Sequence, residues 1–163
     1  MMRCCTTTSS LSKGRSAGRA SRGTRTRGYV DIPHPPYVTC WVALDDMSEA
    51  NGTVTILPYG RAGTRERVDH LRNEATADRV GYHGDDPGEP VLVPAGSIAV
   101  FSSTVFHRSG VNTTPNYRRV YVVQYAPAPM IRPDGAQASR ADPVLRGGER
   151  CGPPGKAMGL GPQ

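Results

Sequence analysis

Four histidines, His34, His70, His83 and His107, are where metal or acid–base chemistry near neutral pH could begin. Three have bland surroundings. His34 lies between two prolines, His70 in a polar stretch and His83 in GYHGDDPG, and each reads as a solvated loop residue. His107 differs, because it ends the apolar run SIAVFSSTVFH and is followed by a turn and then by Arg118 and Arg119, which open another apolar run. If both runs are strands, an imidazole and a guanidinium stand on neighbouring strands. On the residues alone, such an arginine reads as a solvated charge at a strand end. Asp45 and Asp46 read as turn and capping residues. Trp41 reads as core.

Such residues act only if strands hold them. Residues 37–45, YVTCWVALD, are β-branched and aromatic, and TVTIL at 53–57 follows DMSEANG, whose Asn51-Gly52 is a hairpin turn signal. PVLV and SIAVF flank Pro94-Ala95-Gly96, and RRVYVVQYA at 118–126 closes the set after SGVNTTPN. Only residues 65–79 carry a helical pattern. Five or six short strands with one poor helix predict an all-β sandwich or barrel, such as a jelly roll, over residues 29–126. Residues 1–28 are Ser, Thr, Arg and Gly with one Leu, too little apolar surface to offset ordering entropy, so a disordered arm is expected. Residues 127–163, with 7 Pro and 7 Gly, read as a tail.

The net charge of +6 would ordinarily suggest a nucleic acid or an anionic membrane as partner. Its distribution argues otherwise. Residues 1–28 hold seven of the 20 basic residues and no acid, which leaves 13 basic against 14 acidic residues in the body. The arm has no aromatic residue to stack on bases, so no nucleic-acid partner is expected. No window approaches the ~18 apolar residues of a membrane span, and no apolar secretory h-region opens the chain, so no membrane partner and a cytoplasmic location are expected. Cys4, Cys5, Cys40 and Cys151 have neither CxxC spacing nor a regular framework, and read as thiols in a reducing compartment.

Two stretches taken together resemble a known family. PHPPYVTCWVALDDMSEANGTVTILPYGRAG and then VPAGSIAVFSSTVFHRSGVNTTPNYRRVYVVQYAP are similar to the phytanoyl-CoA dioxygenase (PhyH) family of Fe(II)- and 2-oxoglutarate-dependent oxygenases, over residues 28–127. The motifs are W-x-A-L-D-D, N-G-T, and H-x-S-G-x-N with an Arg eleven residues after the His. The resemblance implies a double-stranded β-helix, cupin-like, with iron in the barrel mouth on two His and one carboxylate. That triad leaves open positions for the oxo-acid and dioxygen. It implies hydroxylation of a small-molecule substrate coupled to decarboxylation of 2-oxoglutarate to succinate. By position, His107 matches the distal iron ligand, Arg118 the residue gripping the far carboxylate of 2-oxoglutarate, Ser109 a hydroxyl beside it, and Trp41 a wall of the same pocket.

The first two iron ligands of the family form a His-x-Asp shortly before the Trp strand. Counting back from Tyr29 and Gly28, this chain has Thr24 and Thr26 there, neither of which replaces an imidazole or a carboxylate on iron. His83-Gly84-Asp85 is a literal His-x-Asp, but it follows the Trp strand and would need a different strand order. The expectation is therefore an N-terminally truncated or frame-shifted oxygenase lacking two of its three metal ligands. The alternative is a noncatalytic pseudoenzyme that binds a small carboxylate.

Overall fold

Alternation decides which residues face inward. In β2 (Val38–Ala43), Thr39, Trp41 and Ala43 are buried while Val38 is exposed, the period-2 pattern of a strand with one face on a core. A computed structural model describes residues 4–14, 23–30, 32–66, 68–72, 79–138 and 142–151. In chain order it has β1 (Cys4–Gly14), a 3-10 turn (Thr26–Tyr29), β2, β3 (Val54–Leu57), the short α1 (Tyr59–Ala62), β4 (Leu71–Arg72) and β5 (Arg79–Val80). Then come β6 (Glu89–Pro90), β7 (Ile98–Ser102), β8 (Phe106–Ser109), β9 (Arg118–Ala126), β10 (Asp142–Arg146) and β11 (Glu149–Arg150).

The expected all-β class is what the chain adopts. A six-stranded antiparallel sheet runs in the order β11-β10-β1-β9-β2-β7, and a three-stranded sheet in the order β6-β3-β8. The main core lies between them: Trp41, Ala43 and Val120 from the large sheet, Val54 from the small one, and Met47 from the connection. A second cluster joins Tyr37, Ala126 and Met130.

Four expectations differ from the structure. Asn51-Gly52 does not close a hairpin, since β2 and β3 belong to different sheets and the turn carries the chain from one to the other. Gly52 is nonetheless required, because it has φ +74° and a Cβ there would stand 2.4 Å from the Gly110 carbonyl oxygen. Residues 65–79 contribute no helix among the described residues; β4 and β5 pair there instead, and 67 and 73–78 lie outside the description. The arm is not unstructured over Cys4–Gly14, which pairs with β9 and β10. Its Thr and Ser residues need no apolar face to make ladder hydrogen bonds, and they cover the β9 edge that would otherwise be open. Residues 1–3 and 15–22 of the arm fall outside the description. The tail likewise holds the β10–β11 hairpin and the buried Met130, while 139–141 and 152–163 are not described.

Candidate functional site

Strand β8 organises the site. Its pairing with β3 sets Ile56 opposite His107 and Val54 opposite Ser109. Cross-strand partners share a face, and Val54 and Ile56 pack in the core, so His107 and Ser109 are turned inward. The His107 ring lies 5.1 Å from that of Phe101, a β7 residue packed on the same core. His107 Nδ1 stands 3.2 Å from the Val105 carbonyl oxygen. A carbonyl only accepts, so a hydrogen bond there puts the hydrogen on Nδ1 and leaves the lone pair on Nε2. Burial holds the His107 pKa below its ordinary value, opposed by the Val105 hydrogen bond and reinforced by nearby His70, which favours the neutral, ligand-competent ring.

At the other end of β8, Gly110 packs on Gly52, and Arg118 at the start of β9 donates from Nη1 to the Gly52 carbonyl at 2.6 Å. Arg118 is 8% exposed, its Nε is buried without a partner, and no acidic side chain pairs with it among the described residues. Burial alone pulls its pKa below the ordinary arginine value. A guanidinium in this state has room in its hydrogen bonding for an anion. Neighbouring Arg119 shows the contrast: it points outward and is ion-paired to Asp45. Asp46 caps a turn by accepting the Ala95 N–H at 2.9 Å. Trp41, the fourth residue singled out by position, is buried in the central cluster beside Ala43 and Val120.

Thr24 and Thr26, which the resemblance aligns with the family's first two iron ligands, are also in place. Thr24 bridges His107 through two backbone hydrogen bonds, Thr24 N–H to His107 O at 2.9 Å and His107 N–H to Thr24 O at 2.8 Å. Thr24 thus stands beside His107, and Thr26, two residues on, enters the 3-10 turn. Their hydroxyls are poor ligands for Fe(II), and no three His, Cys, Asp or Glu side chains converge among the described residues. The residues present therefore do not fit the iron site.

His83 and Asp85 do not fill the gap. Phe106 and Arg108 take the other face of β8 with their partners Leu57 and Thr55, and Phe106 and Leu57 are buried there. His83, Asp85 and Asp86 line a cavity of about 360 Å³ together with Thr55, Leu57, Phe106, His107 and Arg108, yet no three metal-ligating side chains converge there among the described residues. His83 is exposed as expected, but the other two histidines are not solvated. His34 is 7% exposed and lies 5.4 Å from the Tyr37 ring. His70 is half-buried in a slot between Gly28 and Gly81, where a Cβ would meet its ring at 2.5 and 2.7 Å. Its Nε2 accepts the Arg25 N–H at 3.1 Å. Arg25 was not singled out by the sequence, yet it is 2% exposed, stacks on Phe106 at 3.8 Å and donates to the Thr64 and Glu66 carbonyls. These guanidinium contacts are all distant in sequence, so no local signal marks it.

The sequence model of phytanoyl-CoA dioxygenase (PhyH) matches residues 18–120. The match begins upstream of the expected boundary near Gly28, so Thr24 and Thr26 lie within it. Peroxisomal phytanoyl-CoA dioxygenase of Mus musculus is 28% identical over 88 residues, which cover 50% of this chain and 26% of that protein. Among solved structures, the non-heme monooxygenase ThoJ superposes with a TM-score of 0.63 at 18% identity, covering 86% of this chain and 54% of its own. EvdO2 from Micromonospora carbonacea var. aurantiaca, complexed with 2-oxoglutarate, has a TM-score of 0.56 at 24% identity, covering 83% and 53%. CytC3 with Fe(II) and alpha-ketoglutarate has a TM-score of 0.53 at 14% identity, covering 77% and 46%. This chain thus spans about half the length of these solved relatives and about a quarter of the curated one. The structural likenesses show a shared double-stranded β-helix fold, and the family match covers well over half of the sequence. The chain belongs to the phytanoyl-CoA dioxygenase family.

Proposed function

We propose that this chain is the cosubstrate-binding barrel of a Fe(II)- and 2-oxoglutarate-dependent dioxygenase of a small organic molecule. With one iron ligand of three, it binds the dicarboxylate without turning it over. The observation that carries this reading is Arg118: a buried guanidinium, free of acidic partners among the described residues, with an unsatisfied Nε. Ser109 faces the interior from β8 on the same side as His107. Relatives solved with Fe(II) and alpha-ketoglutarate, or with 2-oxoglutarate, support this ligand class. Trp41 contributes a rigid wall through the core. No described helix is long and apolar enough to cross a membrane, and Cys40 and Cys151 are free thiols, as a reducing compartment such as the cytoplasm would keep them.

Calorimetric titration with 2-oxoglutarate tests the reading. Arg118→Ala should weaken binding by about 2 kcal/mol or more, because a buried carboxylate loses its charged partner. Arg118→Lys should weaken it too, since the fork geometry goes. Equal affinity in wild type and Arg118→Ala would sink the assignment. With Fe(II) supplied, no succinate should form. Thr24→His/Thr26→Asp should gain a Co(II) visible absorption band that a further His107→Ala removes. Robust succinate formation by the unaltered chain would show that other residues complete the metal site.

The noncatalytic binding protein is the second reading, and one observation favours it. Thr24 and Thr26 lie inside the family match, and Thr24 is fully integrated beside His107, as in a barrel that has settled without its metal.

A further inference from the structure

The cavity of about 360 Å³ is lined by Phe106 and Arg108 of β8, by their partners Leu57 and Thr55 of β3 and by the loop at 82–87, and neither Arg118 nor Ser109 lines it. Its wall is apolar. Leu57 and Phe106 are buried, and the half-buried Tyr82 ring packs on that of Phe106 with centroids 5.3 Å apart. The volume lies near the lower end of the range for small-molecule sites. Two charged side chains lining it are uncommitted. Asp86 is held by Arg61 and by the Gly88 N–H, whereas Asp85 and Arg108 make no hydrogen bond or ion pair among the described residues. Arg108 is half-buried, and a carboxylate would engage its planar fork through two hydrogen bonds. A ligand with a carboxylate alone would bring like charge to Asp85, and one with an ammonium alone would bring like charge to Arg108. A zwitterion with an apolar side group has a counterpart for each feature.

We propose that this cavity binds an α-amino acid with an aromatic or branched apolar side chain, Arg108 pairing its carboxylate, Asp85 its ammonium, and Leu57, Tyr82 and Phe106 covering the side chain. The site is independent of the reading of Arg118 given above.

Calorimetric titration of the full-length chain at low ionic strength, where charge pairs at an open site are least screened, tests this. The probes are L-phenylalanine, 3-phenylpropionate and phenethylamine, which share the ring and carry both charges, the carboxylate alone and the ammonium alone. The wild type should bind phenylalanine about tenfold more tightly than either analogue. Glycine, which keeps both charges and has no side chain, should also bind about tenfold more weakly. Arg108→Gln should hold phenylalanine and phenethylamine within about twofold of each other, and Asp85→Asn should do the same for phenylalanine and 3-phenylpropionate. Neither residue lends the fold a hydrogen bond or an ion pair among the described residues, so both variants should keep the wild-type melt. The inference is overturned by a wild type that does not bind phenylalanine, by equal affinity for all the probes, or by preferences unaltered in the two variants. Displacement of phenylalanine by 2-oxoglutarate would put both in one pocket and overturn it as well.

Discussion

The two ends of β8 have kept different things. At the Ser109 end both the backbone corner and its chemistry are present: Gly52 against Gly110, and Arg118 reaching over to the Gly52 carbonyl. At the Phe106 end the backbone pairing is equally present, Thr24 being joined to His107 by two main-chain hydrogen bonds, but the side chain it brings is a hydroxyl, a poor ligand for a metal. Strand pairing is written in main-chain groups that every residue except proline supplies, whereas a ligand set is written side chain by side chain. A main-chain pairing can therefore persist whatever side chain stands at that position.

The sharpest way to break this contrast is at the corner that is intact. Gly52→Val adds a Cβ in a left-handed backbone and against the Gly110 carbonyl, so a loss of about 3 kcal/mol or more is expected in urea melts, together with loss of 2-oxoglutarate binding. A variant with unchanged stability would mean the corner is not held as described. At the other end, Thr24→Pro removes the N–H that donates to His107 O and should cost about 1 to 3 kcal/mol, while Thr24→Ala should cost less than 1. Comparable losses from both substitutions would show that the side chain, not the backbone, carries the pairing.

Smaller effects come from titration. His107 is held below its ordinary value of 6.5, chiefly by burial, so as pH falls through that value the unfolded chain takes up a proton that the folded chain resists. Stability should therefore decline from about neutral pH towards the lowered folded pKa and be unaffected above it. His107→Gln should flatten that decline in melts at pH 7.5 and 5.5, and parallel curves would place the slope elsewhere. The smallest effect is expected at Asp45, whose pKa is lowered chiefly by the Arg119 hydrogen bond. Its contribution is present above the ordinary value near 3.8 and lost as pH falls through the lowered one. The pair is largely solvated, so Asp45→Asn should move the neutral-pH melt barely beyond error.

Legibility followed locality. RRVYVVQYA was readable to the residue because β-branched and aromatic alternation is a local pattern, and the same holds for the central part of YVTCWVALD. Asn51-Gly52 misled because its turn chemistry is local, while its real constraint is Gly110, far along the chain. Composition counts apolar side chains, so it could not see that Cys4–Gly14 is held by backbone pairing. The link between His70 and Arg25 escaped notice for the same reason, since the two are 45 positions apart and the Arg25 guanidinium reaches the Thr64 carbonyl 39 positions away. His107 and Arg118 were legible as a pair through their spacing and family motif, although the orphaned Nε that suggests an anion could be seen only in three dimensions.

The place of β1 in the large sheet has a consequence for how the protein is made. Its partners are residues 118–126 and 142–145, so the first strand cannot begin to pair until more than a hundred further residues have left the ribosome. At about 5 to 20 residues per second, that is a wait on the order of 5 to 20 seconds. A typical apolar strand would spend that time as an aggregation hazard. A run of threonines and serines with one leucine can wait in water, and its composition, a poor advertisement for a strand, suits one that is synthesised well before its partners and docked after them.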